Sequence, residues 1–124
     1  MSGGAFEYVA GYVNNGNSSL TNYGQSLVNG DAKTKNVYSK ASSDNSTNNY
    51  NANSSKYGDA AYETSANGIV NASWYGDYSY FPGASYPFFE RGGGSGTDAG
   101  VFCFNKGTGY RDSSYSFRPV LIVI

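Results

Sequence analysis

Apolar and polar positions alternate with a period of two at several points along this chain. Such alternation marks strands with one face toward a core. Ala5 to Val13 (AFEYVAGYV) places Phe6, Tyr8 and Ala10 on one face and Glu7, Val9 and Gly11 on the other. A short strand is expected around Val37 and Tyr38 in KTKNVYSK, and another at Val101 to Phe104 (VFCF). Ser116 to Ile124 (SFRPVLIVI) is the most hydrophobic segment and reads as a terminal core strand. Pro119 has no N–H to give a ladder, so the early part of that strand belongs at an edge or a bulge. Gly58 to Ser65 is either a strand start or a single helical turn. Asn14 to Ser19, GGGSG at 92–96 and residues 107–114 are turn material. Leu20 to Val28 carries few apolar residues, and no stretch shows a 3.6-residue apolar period, so little helix is expected. Ala41 to Lys56 (ASSDNSTNNYNANSSK) is polar and of low complexity, which predicts a long, mobile surface loop. The pattern predicts one β-rich α+β domain over residues 1–124, with many short strands joined by long irregular loops.

Composition narrows the chemistry. The chain has 124 residues, enough for one modest core. Eight Lys and Arg against nine Asp and Glu leave a net charge of −1, and the cations are scattered. A nucleic-acid binder needs a basic face, so that class is disfavoured. The chain contains no His, which removes the commonest general base and metal ligand. Cys103 is the single cysteine, so no disulfide within the chain is expected. Thirteen Tyr and 17 Gly, with many Ser and Asn, suit loops that recognise ligands. No run approaches the ~20 apolar residues of a membrane span, so no membrane insertion is expected. Met1 is followed by Ser-Gly-Gly and not by a basic and then apolar stretch. An export signal would have to lie upstream, or the chain would travel as part of a particle. Asn17, Asn45, Asn53 and Asn71 each begin an N-x-S/T triplet, compatible with exposure.

Three pieces in order resemble one family. MSGGAFEYV resembles D-M-S-G-N-V-W-E-W, ERGGGS at 90–95 resembles R-G-G-S-W, and YSFRPVLIV at 115–123 resembles a closing L-G-F-R strand. These are motifs of the formylglycine-generating-enzyme (sulfatase-modifying factor) family, which has a C-type-lectin-like fold. The chain is more similar to non-catalytic members encoded by gut Firmicutes and their phages. Matching residues are 3–9, 58–65, 73–82, 87–93, 99–104 and 116–121. The resemblance implies a C-type-lectin-like fold truncated at its N-terminus, the C-terminal portion of the family architecture. A half-fold leaves strand edges open, so self-assembly or completion by a partner chain is expected.

The resemblance also implies sites. The family's copper site needs two cysteines in a C-x4-C arrangement, and Thr108 stands where the second would be. No copper and no enzymatic activity are therefore expected, and Cys103 reads as a small strand residue. The family's calcium site maps to the carbonyls of Gly3 and Ala5 and the carboxylate of Glu7. Alternatively Glu7 is a polar strand residue, or pairs with Arg91 or Arg118. Both arginines are expected to bond buried loop carbonyls or carboxylates. Ligand contacts are expected from irregular loops, at Trp74, Tyr75, Tyr78, Ser95, Thr97, Asp98, Asn105, Tyr110 and Arg111. Trp74, Phe81, Phe88 and Phe89 are also expected to build the core, so Trp74 stands in both groups. The function so implied is display on a phage particle or extracellular bacterial appendage, binding a host-surface carbohydrate or protein. The rival is a structural filament or virion subunit completed by its neighbours.

Overall fold

Tyr12-Val13, Val37-Tyr38 and Phe88-Phe89 are adjacent apolar pairs. Neighbours in a strand point to opposite faces, so each pair supplies both sides of a sheet. The computed structural model describes residues 5–54, 59–93, 96–110 and 115–116, with only the backbone for 97, 98, 115 and 116. Strands β1 (Phe6–Asn14), β2 (Asn36–Ser39), β3 (Phe88–Gly92) and β4 (Phe104–Gly107) lie in the order β2-β1-β3-β4. The two-residue strand β5 (Tyr115–Ser116) adds to β1 at Phe6 and Glu7. β1 runs parallel to β2 and β5 and antiparallel to β3, and β3 is antiparallel to β4, so the sheet is mixed. The β1–β3 register shifts between Tyr8 and Tyr12, a bulge that turns Val9 and Ala10 outward.

Helix α1 (Ser18–Val28) joins β1 to β2 and covers one face. There Leu20 packs with Tyr12 and Phe88, flanked by Tyr8, Leu27, Val28 and Val37. The Asn17 side chain caps the helix start at the Ser19 N–H. At its other end the Lys35 ammonium donates to the Leu27 and Val28 carbonyls at 3.0 and 2.6 Å. On the opposite face Val13, Tyr38, Phe89 and Phe104 meet Tyr50, Ala61 and Phe81. Helix α2 (Ser46–Ala52) and the single turn α3 (Ala60–Glu63) supply Tyr50 and Ala61. The rings of Phe81, Phe89, Tyr38 and Tyr50 contact one another edge-on or tilted, with centroids 5.1–5.7 Å apart.

The β-rich α+β reading holds, with strands at the expected β1 and β2. Three expectations are corrected. Residues 20–28 are helical, because Leu20 and Leu27 share the face that packs on the sheet. The stretch 41–56 is not a mobile exposed loop where it is described, because α2 sits inside it with Ser46, Asn49, Tyr50 and Asn53 buried. Asn53 does there what a further strand would do. The Asn53 amide accepts from the Ser39 N–H at 2.9 Å and donates to the Ser39 carbonyl at 2.9 Å, closing the outer edge of β2. Asn49 accepts from the Ala41 N–H at 2.7 Å and donates to Asp44 and to the Pro82 carbonyl. Asp44 also accepts from Asn15 at 3.0 Å. The outer edge of β4 is met at Phe104 by the Tyr78 carbonyl and the Tyr80 N–H. The VFCF strand is displaced: residues 101–103 form a turn and the strand begins at Phe104. Of the expected terminal strand only Ser116 lies among the described residues, opposite Glu7.

Candidate functional site

The segment between α3 and β3 has little regular structure and is held by local hydrogen bonds. The Trp74 N–H donates to the Thr64 carbonyl at 2.8 Å, and a tight 3-10 turn follows over Trp74–Gly76. Tyr75 within it has φ +60, in the left-handed region that a non-glycine residue occupies at a cost of about 1–2 kcal/mol. Its ring gains no burial in return, since Tyr75 is 91% exposed. A strained residue with an exposed ring is a candidate for contact with something outside the chain.

The turn fixes a second loop beside it. The Asp77 carboxylate accepts from the Phe102 N–H at 2.9 Å. Gly100 lies so close that a Cβ there would be 2.0 Å from the Asp77 Cγ. Only glycine lets the two loops approach in this way. Phe102 is thereby set against the turn, edge-on to Trp74 at 5.2 Å and stacked with Tyr75 at 5.8 Å and 24°. Trp74 is 54% exposed, and Val101 beside Phe102 is exposed as well. The result is an outward-facing aromatic platform of Trp74, Tyr75 and Phe102.

The expected contact residues divide. Trp74 and Tyr75 come together, and Trp74 is corrected from core to surface, while Phe81, Phe88 and Phe89 are buried. Thr97 and Asp98 lie in the 3-10 turn Gly96–Ala99 that leads into Gly100. Tyr78 is half-buried, with its ring 6.1 Å from that of Tyr80. Asn105 lies in β4 opposite Glu90, and its side chain accepts from the Lys106 N–H. Tyr110 is exposed but packs edge-on to Tyr23 of α1 at 5.7 Å, with its carbonyl bonded by the Tyr8 hydroxyl. Ser95 and Arg111 lie outside the described residues. Phe102 was missed because VFCF is a short, continuously apolar run of the kind a buried strand carries.

Of the expected calcium ligands, Gly3 lies outside the described residues, Ala5 precedes β1, and Glu7 is half-buried in β1 in register with Arg91. Among the described residues no three His, Cys, Asp or Glu side chains group together. Cys103 is fully buried, and Arg91 donates to its carbonyl at 3.1 Å.

A concavity of about 420 Å³ lies by the β1 bulge and is lined by Tyr38, Asp59, Lys33, Lys35 and Arg91. The Tyr38 hydroxyl donates to Asp59. Burial, and then Asp59, push the Tyr38 pKa well above that of an ordinary phenol. Tyr38 is therefore a neutral structural donor, unsuited to acid–base work near neutrality.

No family model, curated protein or solved structure matches this chain. The resemblance to the formylglycine-generating-enzyme family therefore rests on its short motifs alone.

Proposed function

We propose that this protein is a non-enzymatic binding module that recognises a carbohydrate or protein surface through the Trp74–Tyr75–Phe102 platform. One observation carries the reading: the Tyr75 ring is held outward by a strained backbone, over a Phe102 that Asp77 fixes in place. Strain retained at an exposed aromatic is understandable when a partner covers it. Stacking on sugar rings and anchoring in protein pockets both use such rings. Display on a phage particle or bacterial appendage, with a host-surface ligand, is the setting that the motif resemblance suggests.

Trp74 is the only tryptophan, so its emission reports on the platform directly. Binding to an array of immobilised glycans and purified cell-surface proteins, followed by titration of each hit against Trp74 fluorescence, tests the proposal. A hit that shifts the emission, and is lost in Trp74→Ala, supports it. Hits that leave the emission unchanged and persist in Trp74→Ala refute it.

A further inference from the structure

A second pocket, of about 420 Å³, lies where the first turn of α2 meets β4. Its volume is in the range of small-molecule sites, about 300–1,000 Å³, and is larger than a bare inorganic anion requires. Lys106 forms part of its lining, with its ammonium 4.0 Å from the Tyr80 ring centroid and 4.9 Å from that of Tyr86. Two rings on one ammonium fix its position. Its one hydrogen bond among the described residues is a long one, 3.4 Å to the Ser46 hydroxyl, and no carboxylate pairs with it there. An ammonium has three donors, so Lys106 keeps donor capacity and a full charge at the pocket. Thr47 and Asn48 form the rim, both exposed, and neither side chain makes a hydrogen bond among the described residues. A fixed cation, an unused hydroxyl and an unused amide thus converge on one cavity with an aromatic wall.

We propose that this pocket binds an anionic pyranose, with the sugar's carboxylate or sulfate on Lys106 and its hydroxyls on Thr47 and Asn48. The charge requirement comes from Lys106, and the sugar requirement comes from the neutral hydrogen-bonding rim. The site uses none of the platform residues, so it stands or falls independently of the function proposed above.

Titrations of isotope-labelled protein followed by amide NMR test it, with glucuronate, glucose 6-sulfate, glucose and sodium sulfate as separate probes at constant ionic strength. Probe concentrations run to roughly 50 mM, because a single sugar on a few contacts binds in the millimolar range. Saturable shifts at Ser46, Thr47, Asn48 and Lys106 are expected with one or both anionic sugars. Lys106→Met, which keeps the stem over the rings, should weaken that binding roughly tenfold or more, and Lys106→Arg should retain it. The rim pair Thr47→Val and Asn48→Ala, at exposed positions that leave the fold intact, should weaken the sugars. The proposal is overturned if glucose binds as well as glucuronate, if sodium sulfate alone gives the same response, or if no probe shifts these amides. Unchanged sugar binding in both the Lys106→Met and rim variants overturns it as well.

Discussion

Asn49→Ala removes a side chain that is 0% exposed although it sits in the most polar stretch of the chain. Its amide donates to Asp44 at 2.7 Å and to the Pro82 carbonyl at 3.2 Å, and accepts from the Ala41 N–H at 2.7 Å. Alanine leaves the Ala41 N–H and the Pro82 carbonyl without that partner, and a buried group so orphaned costs about 1–3 kcal/mol. Asp44 is half-exposed and rehydrates, so its loss counts for less. With the cavity left behind, the expected destabilisation is about 3–5 kcal/mol, a large part of the roughly 5–15 kcal/mol that holds a domain together. The neighbouring Asn48→Ala is the control, because Asn48 is exposed and should stay within about 0.5 kcal/mol of the parent. Urea unfolding followed by far-UV circular dichroism measures both, with the midpoint falling and the slope unchanged for Asn49→Ala. Equal midpoints for Asn49→Ala and the parent would refute the claim that buried Asn49 ties the Ala41 backbone to the Pro82 segment. They would restore the reading of residues 41–56 as a loop without structural work.

Other outcomes follow from the same contacts. Gly100→Ala should expel the Asp77 carboxylate, release the Phe102 N–H and lower stability by about 1–2 kcal/mol, with a change in Trp74 emission; an unchanged spectrum would contradict the coupling of the two loops. Gly68→Ala combines φ +72 with a Cβ placed 2.3 Å from the Tyr50 ring, and should cost about 2–4 kcal/mol by thermal melting. The Asp44 carboxyl is pushed up by burial but held below its ordinary value overall by Asn49, the Ala84 backbone and Asn15. A depressed folded pKa gives stability that is present above the unfolded value and is lost as pH falls through the folded one. The melting temperature should therefore drop on acidification below about pH 4, and Asp44→Asn should flatten that part of the profile. A parent and an Asp44→Asn variant with superimposable acid limbs would show that Asp44 plays no such part.

What could be read in advance depended on whether inward faces were apolar. β1 and β2 were legible because Phe6 and Tyr8 flank Glu7 at a spacing of two, and the apolar pairs Tyr12-Val13 and Val37-Tyr38 sit in runs short enough for strands. α1 carried a usable signal, Leu20, Tyr23 and Leu27 at helical spacing behind the Asn17 cap, but Ser, Thr, Asn and Gln diluted it. α2 is harder, since its buried residues Ser46, Asn49 and Tyr50, with the buried cap Asn53, have helical spacing and only one is an aromatic. Hydropathy cannot see a face that is inward because it hydrogen-bonds backbone. Trp74 and Tyr75 were recognisable as contact candidates from their loop context. The left-handed turn that pushes them outward, and the Asp77 bond that brings Phe102 beneath, depend on contacts 25 residues apart. The Lys106 pocket gave no local signal, because Ser46, Tyr80 and Tyr86 all lie far from Lys106 in the sequence.

The central claim is that the outward aromatic platform is a binding surface. Isothermal titration of the best array ligand against the parent and against Trp74→Ala combined with Tyr75→Ala tests it most directly. Removing two ring anchors at an interface costs about 2 kcal/mol or more, so affinity should fall at least roughly thirtyfold. The melting temperature should fall only slightly, because Tyr75 is 91% exposed and Trp74 is 54% exposed and packs on the half-buried ring of Phe102. Undiminished affinity in a folded double variant would contradict the account.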